Sequence, residues 1–495
     1  MTLTSRFPYS GLAKQISIIL FVSLAIAQGL GDNRSPNVLF IAIDDLNTCP
    51  EGFDGETTVH TPNITRLSNM GIRFTNAHCA APACNPSRAS VMTGLAPSTT
   101  GVYLNSNDWR ANRVLMNRTT LPQHFRNHGY KTLGGGKLYH AASLSPGMYE
   151  GYLDARPWDE YYPSKSRQMP EEVDPKTIPM NGNPSHYRGH MDWAALDIDT
   201  DDMADAKVVA WAEEQLARTH DKPLFLAVGI YRPHIPWWTP KEYFDRNPIE
   251  EVVLPEVVEN DLLDVPEAGR AMRKQGWHQW MRENGKWEEA VQGYNASVSF
   301  TDDMIGRLLD ALQKGPMADN TIIVFWTDHG YHLGQKDHWE KFALWEQTTR
   351  VPLIVAYPEI ERKGDACDQP VSLLDIFPTL NEMCGIPLAE ELDGKSLVPQ
   401  IVNPELETGR AIVTTQGFQS HAVRSDRWRY ILYADGSEEL YDQFEDPKNF
   451  YNLAAEESYA SVKEQLSDWL PQSNAEEHPT FKGQRAMNEK YEKKR

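Results

Sequence analysis

The amino-acid sequence predicts an α/β protein: a central, mostly parallel sheet flanked by helices, with a smaller antiparallel subdomain at the C-terminal end. Residues 37–45, 224–230, 321–327 and 351–357 are nearly continuous in apolar side chains, which is how strands covered on both faces read. Between them, 201–218 carries Met203, Ala206, Val209, Ala210 and Ala217 at helical spacing, and 288–312 carries Val291, Tyr294, Val298, Met304, Ile305, Leu308 and Leu309. Strands alternating with helices build a parallel sheet. After about Leu397 the pattern changes: 410–416, 421–433 and 438–442 read as short strands joined by polar turns, with Asp435-Gly436 a hairpin signal.

At the amino terminus, Arg6 and Lys14 precede an apolar run from Ile16 to Ala27, and Ala25-Ile26-Ala27 fits a small-x-small cleavage site. This predicts a signal peptide over 1–27 and an exported protein, periplasmic or extracellular; the run falls short of the ~20 residues that span a membrane. Thr61-Pro62 opens a helix through Met70, with Thr61 as its cap and Gly71 as its stop. A loop through Pro86 leads into a short helix from about Ser87. Residues 146–187 lack periodicity and read as an insertion beside the site. Residues 458–470 form a final helix, and a basic solvated tail follows Met487. The expected division is a leader over 1–27, a catalytic domain over 28–397, and an antiparallel subdomain with its tail over 398–495.

A chain of 495 residues, 40% hydrophobic and 24% charged, buries a large core. Its net charge of −21 argues against a nucleic-acid surface, so any polyanionic substrate must meet a local basic patch. The five cysteines show no Cys-x-x-Cys pair or disulfide framework. Pairing among Cys49, Cys79, Cys367 and Cys384 stays open, and the odd count suits one cysteine reserved for chemistry.

That cysteine is Cys84. It stands in Cys84-Asn85-Pro86-Ser87-Arg88-Ala89-Ser90-Val91-Met92-Thr93-Gly94, near a helix start where unpaired amides favour an anion. Arg88 adds a fork of donors suited to sulfate or phosphate. Two apolar strands end in polar groups, Asp44-Asp45 and Asp328-His329, and two such ends make an oxygen-rich cradle for a cation such as Ca²⁺. Gly134-Gly135-Gly136 brings the backbone close to a ligand and presents Lys137 and His140. Arg232-Pro233-His234 follows another strand.

The eleven residues from Cys84 to Gly94 resemble the complete signature of type I sulfatases, members of the alkaline phosphatase-like superfamily. The resemblance runs from about Asn37 to about Asn452 and is nearest to the iduronate-2-sulfatase-like branch, in which His stands at the position of His329. It implies that Cys84 is converted to formylglycine, the nucleophile, by a formylglycine-generating enzyme. It implies one divalent cation, expected to be Ca²⁺, on Asp44, Asp45, Asp328, His329 and modified Cys84. Lys137 and Lys341 then meet sulfate with Arg88, Asp328 accepts a proton from the aldehyde hydrate, His140 assists release of sulfate from residue 84, and His234 protonates the leaving alcohol.

The expected partner is a sulfated oligosaccharide or polysaccharide fragment, with the 2-O-sulfate of a uronic acid as the leading guess. Rim candidates are Asn105 to Arg110, including Trp109 and Arg110, then Tyr331-His332, Trp237-Trp238 and Gln419-Ser420-His421. Two readings compete: a phosphomonoesterase or phosphodiesterase of the same superfamily, and a catalytically silent polysaccharide-binding homologue. Superfamily phosphatases usually use Ser or Thr with two zinc ions, and the silent reading conflicts with the intact nucleophile, acid and base positions.

Overall fold

The computed structural model describes residues 35–110, 112–140, 156–162, 181–182, 191–273, 276–388 and 390–478. The leader expected over 1–27, the tail after Met487 and most of the insertion expected over 146–187 lie outside these residues. No helix among the described residues is long and apolar enough to cross a membrane.

In chain order the strands before the C-terminal region are β1 (Asn37–Ile43), β2 (Gly71–His78), β3 (Lys131–Gly136), β4 (Glu160–Tyr162), β5 (Trp193–Leu196), β6 (Leu224–Ile230), β7 (Trp237–Pro240), β8 (Thr321–Thr327), β9 (His332–Leu333), β10 (Trp339–Glu340), β11 (Arg350–Ala356), β12 (Ala366–Cys367) and β13 (Val371–Ser372). The main sheet runs β12-β2-β11-β8-β1-β6-β3-β4, with β13 also on β2. β1 lies at its middle, parallel to β6 and β8. Its alternate side chains feed two cores: Leu39, Ile41 and Ile43 pack under the helices Ala204–Leu216 and Trp287–Lys314, while Val38, Phe40 and Ala42 pack on the opposite face with the helices Cys84–Thr93 and Ile376–Met383.

β11 departs from the parallel pattern, pairing antiparallel with both β8 and β2. The reason is local. Residues 328–349 hold two short strands, a 3-10 turn and the one-turn helix Glu346–Thr349 after β8, none long enough for a crossover, so the chain re-enters the sheet from the edge it has just left. The C-terminal ends of β1, β2, β3, β6 and β8 and the start of β11 therefore share one edge, where open α/β sheets place their sites.

Three local expectations are corrected. Helix Pro62–Ser68 forms, but Thr61 makes no side-chain cap: its hydroxyl accepts from Glu51, and Asp302 takes the amides of Asn63 and Ile64. The helix expected from Ser87 starts at Cys84, because Pro86 fits within a first turn, where its missing N–H leaves no partner unmet. The strand expected over 421–433 is two. β14 (Ile412–Thr415), β15 (His421–Arg424), β16 (Trp428–Leu432) and β17 (Glu438–Asp442) form a separate antiparallel sheet, and a tight turn from Ser425 to Trp428 divides the middle pair. The final helix is Ala460–Ser467, and all five cysteines are free.

Four histidines are held neutral by burial, which outweighs Asp337 beside His278 and Glu346 near His78: it holds His278 and His421 down to about 4, and His78 and His332 well below the ordinary imidazole value. His278 accepts from Trp339 Nε1, which fixes it neutral. The unfolded chain binds protons that the native state refuses, so stability contributed by these groups is present above about pH 6.5 and is lost as pH falls toward 4. Urea unfolding of metal-loaded protein is expected to lose up to ~1.4 kcal/mol per pH unit for each such histidine over that window. A midpoint that rises on acidification contradicts this account.

Candidate active site

The site begins where β1 stops. Asp44 and Asp45 would point to opposite faces in a continuing strand. Instead Asp45 takes φ 61°, turning the backbone so that both carboxylates face inward, and both are fully buried. Asp328 Oδ1 accepts the Asp45 amide at 3.2 Å, and Tyr294 donates its hydroxyl to the Asp45 carbonyl at 3.0 Å while accepting the Asn47 amide. Tyr294, from the long helix, thus locks the turn; in the sequence it reads only as one member of an apolar stripe.

Cys84 is the first residue of its helix and is fully buried. Its neighbour Asn85 ties it to the 104–107 loop: the Asn85 amide donates to Asn105 Oδ1 at 2.9 Å, and its side chain donates to the carbonyls of Leu104 and Asn107 at 3.0 and 2.7 Å. Ser87 Oγ donates to the Asp328 carbonyl at 2.6 Å.

Arg88 is held by protein acceptors on every side. Nε donates to Asp328 Oδ2 at 2.7 Å, Nη2 to Asp44 Oδ1 at 3.2 Å and to the Ile43 carbonyl at 3.3 Å, and Nη1 to the Lys137 carbonyl. The guanidinium has no exposed surface. It holds the carboxylates apart and in register, a bracing role that a flexible ammonium could not fill in the same geometry.

Two lysines complete the charge. Lys137 Nζ contacts Asp44 Oδ2 and lies 4.6 Å from the centre of the Tyr231 ring. Lys341 Nζ donates to both oxygens of Asp45 at 2.7 and 2.9 Å. Lys137 is reached because glycines allow two backbones to touch: a Cβ on Gly229 would lie 2.3 Å from the Lys137 carbonyl, and Gly136 has φ 70°. Lys341 sits in a strained loop, with Glu340 at φ 75° and Phe342 at φ 72°, anchored by Phe342 N to Pro82 O and by the Lys341 carbonyl to His338 Nε2.

His329 Nδ1 donates to the Gly330 carbonyl at 3.0 Å, which leaves Nε2 to face the cluster, 3.3 Å from Cys84 Sγ and 3.5 Å from Asp45 Oδ1. His234 Nδ1 pairs with the Ile235 carbonyl at 2.5 Å and Nε2 lies 3.8 Å from Asp45 Oδ2. His140 follows Lys137; burial, reinforced by Lys137, pushes it down to about 3.

The electrostatics set two neighbouring carboxylates apart. Burial would raise Asp44, but Lys137, His234 and Arg88 outweigh it and hold it well below the carboxylate range. Asp45 is pushed up to about 7 by burial and by Asp44, against the pull of Lys341. Burial also opposes the Cys84 thiolate, yet Lys341, Lys137 and His329 leave its thiol below the ordinary value.

Ligand atoms of Asp44, Asp45, Cys84 and His329 all lie within 4.8 Å of one another. Ligands on opposite sides of one metal ion stand roughly 4–5 Å apart, so these four atoms are close enough to share a single cation; the single imidazole and adjacent carboxylates do not resemble a two-zinc site. Asp328, expected among the ligands, is outside this set of four. Its Oδ1 accepts the amides of Asp45 and His329 and its Oδ2 accepts Arg88, so it stands directly behind the cluster.

The rim differs more. Trp109 is almost fully buried, stacked on Tyr139 with ring centres 5.3 Å apart, and Arg110 lies over both rings at 4.9 and 5.4 Å. Trp237 and His332 are core residues and do not line an opening: Trp237 packs on Tyr294, Tyr331 and Trp339, and His332 sits between His338 and Trp345. Tyr331 and Trp238 are likewise buried. His421 is also buried, its Nδ1 against Thr415 Oγ1 at 3.0 Å. Indole and imidazole in a strand can face inward as readily as outward, and sequence position alone did not decide which.

This fold, with two carboxylates after β1, a cysteine at a helix start and a histidine after β8 gathered at one sheet edge, is that of the alkaline phosphatase and sulfatase superfamily. The sulfatase family profile matches residues 36–386, and a second, described as N-sulphoglucosamine sulphohydrolase, C-terminal, matches 334–476. The chain is 38% identical to a sulfatase of Formosa agariphila, covering 89% of this chain and 87% of the relative. It is 31% identical to choline-sulfatase of Rhizobium meliloti, over 85% and 82%, and 30% identical to iduronate 2-sulfatase of Mus musculus, over 73% and 71%. The protein belongs to the sulfatase family.

The bracing role of Arg88 carries a consequence for stability. Arg88→Lys keeps the charge but leaves buried acceptors on Asp44 and Asp328 unmet, and is expected to cost about 2–4 kcal/mol in unfolding free energy as well as activity. Unchanged chemical denaturation with activity alone lost would instead assign Arg88 to sulfate.

Proposed function

We propose that the protein hydrolyses an O-sulfate ester of a carbohydrate, and that the 2-O-sulfate of a uronic acid is its leading substrate. The observation that carries the reading is the complete Cys84–Gly94 signature standing at a cluster fit for one cation, flanked by two buried lysines. Likeness to iduronate 2-sulfatase supports the sugar class and the iduronate-2-sulfatase-like branch, in which the sequence places His329. Likeness to choline-sulfatase marks a small alcohol as the competing leaving group.

In this reading Cys84 is converted to formylglycine, whose hydrate supplies the oxygen that attacks sulfur. A bound Ca²⁺, held by Asp44, Asp45, His329 and residue 84, would supply Lewis-acid polarisation of the sulfate oxygens. The protein's own residues do the rest. Arg88, Lys137 and Lys341 pair with Asp44, Asp45 and Asp328. The Lys137 and Lys341 ammoniums direct their N–H groups to the sulfate, and a dication held by the cluster would add to the positive charge they supply. Asp328, braced by Arg88, accepts a proton from the attacking hydroxyl. His234, with Nδ1 bonded to the Ile235 carbonyl, delivers a proton from Nε2 to the departing sugar oxygen. His140, kept neutral, takes the proton whose removal frees sulfate from residue 84.

The basic and apolar run over 1–27 supports export to the periplasm or beyond the cell, and N-terminal sequencing of native mature protein is expected to begin near Gln28.

Two measurements test the activity. Mass spectrometry of the peptide holding residue 84, taken from an active preparation, is expected to find the aldehyde; finding cysteine alone overturns the nucleophile. Assay of sulfated glycosaminoglycan, ulvan and carrageenan oligosaccharides beside choline sulfate and phosphate mono- and diesters is expected to release sulfate from an oligosaccharide with glycosidic bonds intact. Release of phosphate without sulfate, or of sulfate from choline sulfate alone, rejects it. His234→Ala is expected to lower kcat/KM on a sugar sulfate far more than on an activated aryl sulfate; equal losses rule out its role as general acid.

A further inference from the structure

Phe418 is 40% exposed on the turn between β14 and β15, flanked by Gly417 at φ 72° and Gln419 at φ 60°. The turn closes tightly, with Gln416 N donating to Ser420 O, so the ring is held on a rigid support. Its strand is fastened to the nucleophile's own loop: Thr415 N donates to the Ala80 carbonyl and Thr414 Oγ1 to the Cys79 carbonyl. The ring edges against Tyr103, which is fully buried, at 6.1 Å and 79°.

From Tyr103 a chain of hydrogen bonds leads to the residue beside the nucleophile. The amides of Tyr103 and Leu104 donate to Asn107 Oδ1, and the carbonyls of Leu104 and Asn107 hold the side chain of Asn85, next to Cys84. Residues 474–478 brace these bonds, through Tyr103 OH to the Ala475 carbonyl at 2.7 Å and Asn107 Nδ2 to the His478 carbonyl at 2.6 Å. Trp109 and Arg110, which follow, pack on Tyr139, two residues from Lys137. A partly exposed, non-ionic phenyl ring linked through these contacts to the nucleophile's loop matches the apolar face of a sugar ring.

We propose that Phe418 is a specificity-determining residue: it stacks on the sugar next to the sulfated one, so that the protein acts on an oligosaccharide end and not on a free sulfated monosaccharide. This rests on the carbohydrate reading given above. The platform belongs to the C-terminal sheet, so it makes leaving-group recognition a task of that sheet while the sulfate is handled at the edge of the main one. Phe418 touches no reacting atom, and its effect falls on binding of the leaving group.

The test compares wild type, Phe418→Ala and Phe418→Trp, all carrying formylglycine at residue 84, on three probes: the best sulfated oligosaccharide of the panel, the matching sulfated monosaccharide, and 4-nitrophenyl sulfate. Phe418→Ala is expected to lose about tenfold in kcat/KM on the oligosaccharide, chiefly through KM, with 4-nitrophenyl sulfate unchanged. Phe418→Trp is expected to retain oligosaccharide activity. Equal losses of Phe418→Ala on all three probes would reduce Phe418 to a structural residue, and no loss on the oligosaccharide would remove it from the site; either overturns the proposal. A wild type that hydrolyses 4-nitrophenyl sulfate but no oligosaccharide sinks the carbohydrate reading first, and the platform with it, a result visible before any variant is made.

Discussion

The buried guanidinium of Arg88 is the constraint on which the rest of the site depends. Three carboxylates, Asp44, Asp45 and Asp328, converge in a volume with no solvent exposure, an arrangement that repulsion and desolvation would disperse. Arg88 bridges two of them and is fixed in turn by the carbonyls of Ile43 and Lys137. One side chain therefore ties the ends of β1, β3 and β8 together, and it does so from the helix that begins with Cys84. A buried ion network of this kind adds little net stability; what it provides is a single geometry.

Why that geometry lies at one edge follows from strand direction. Parallel strands deliver their C-terminal ends to the same side, and the reversal of β11 returns the chain from the Lys341 loop to that side without a crossover helix. Strain collects where the demand is greatest, at Asp45, Glu340 and Phe342. Each of these residues adjoins or belongs to a pair that must face a neighbour it would not face in regular structure.

Much of this was legible in the sequence. Continuous apolar runs read as buried strands because β1, β6 and β8 are covered on both faces, and the charged residues at their ends read as a site because nothing in a core explains them. The signature around Cys84 identified the family, which no count of charges or periods could have done. The unreadable part was tertiary. Trp237, His332 and His421 looked like rim residues because they follow catalytic motifs, but the direction of a side chain depends on which face of a short strand meets its neighbours. The bracing of Asp44 and Asp328 by Arg88 could not be read, because these acceptors lie 44 and 240 residues away in the chain. Tyr294 and Asn85 gave no signal at all, since a hydroxyl in an apolar stripe and an amide in a variable motif position are both common without function.

The central claim is that these residues hold one hard cation beside residue 84, and crystallography of active protein soaked with Mn²⁺, located by anomalous scattering, tests it most directly. The account predicts one strong peak bounded by Asp44, Asp45, His329 and the side chain of residue 84, displaced by Ca²⁺. Two peaks in the cluster, or a peak only elsewhere on the protein, would contradict it.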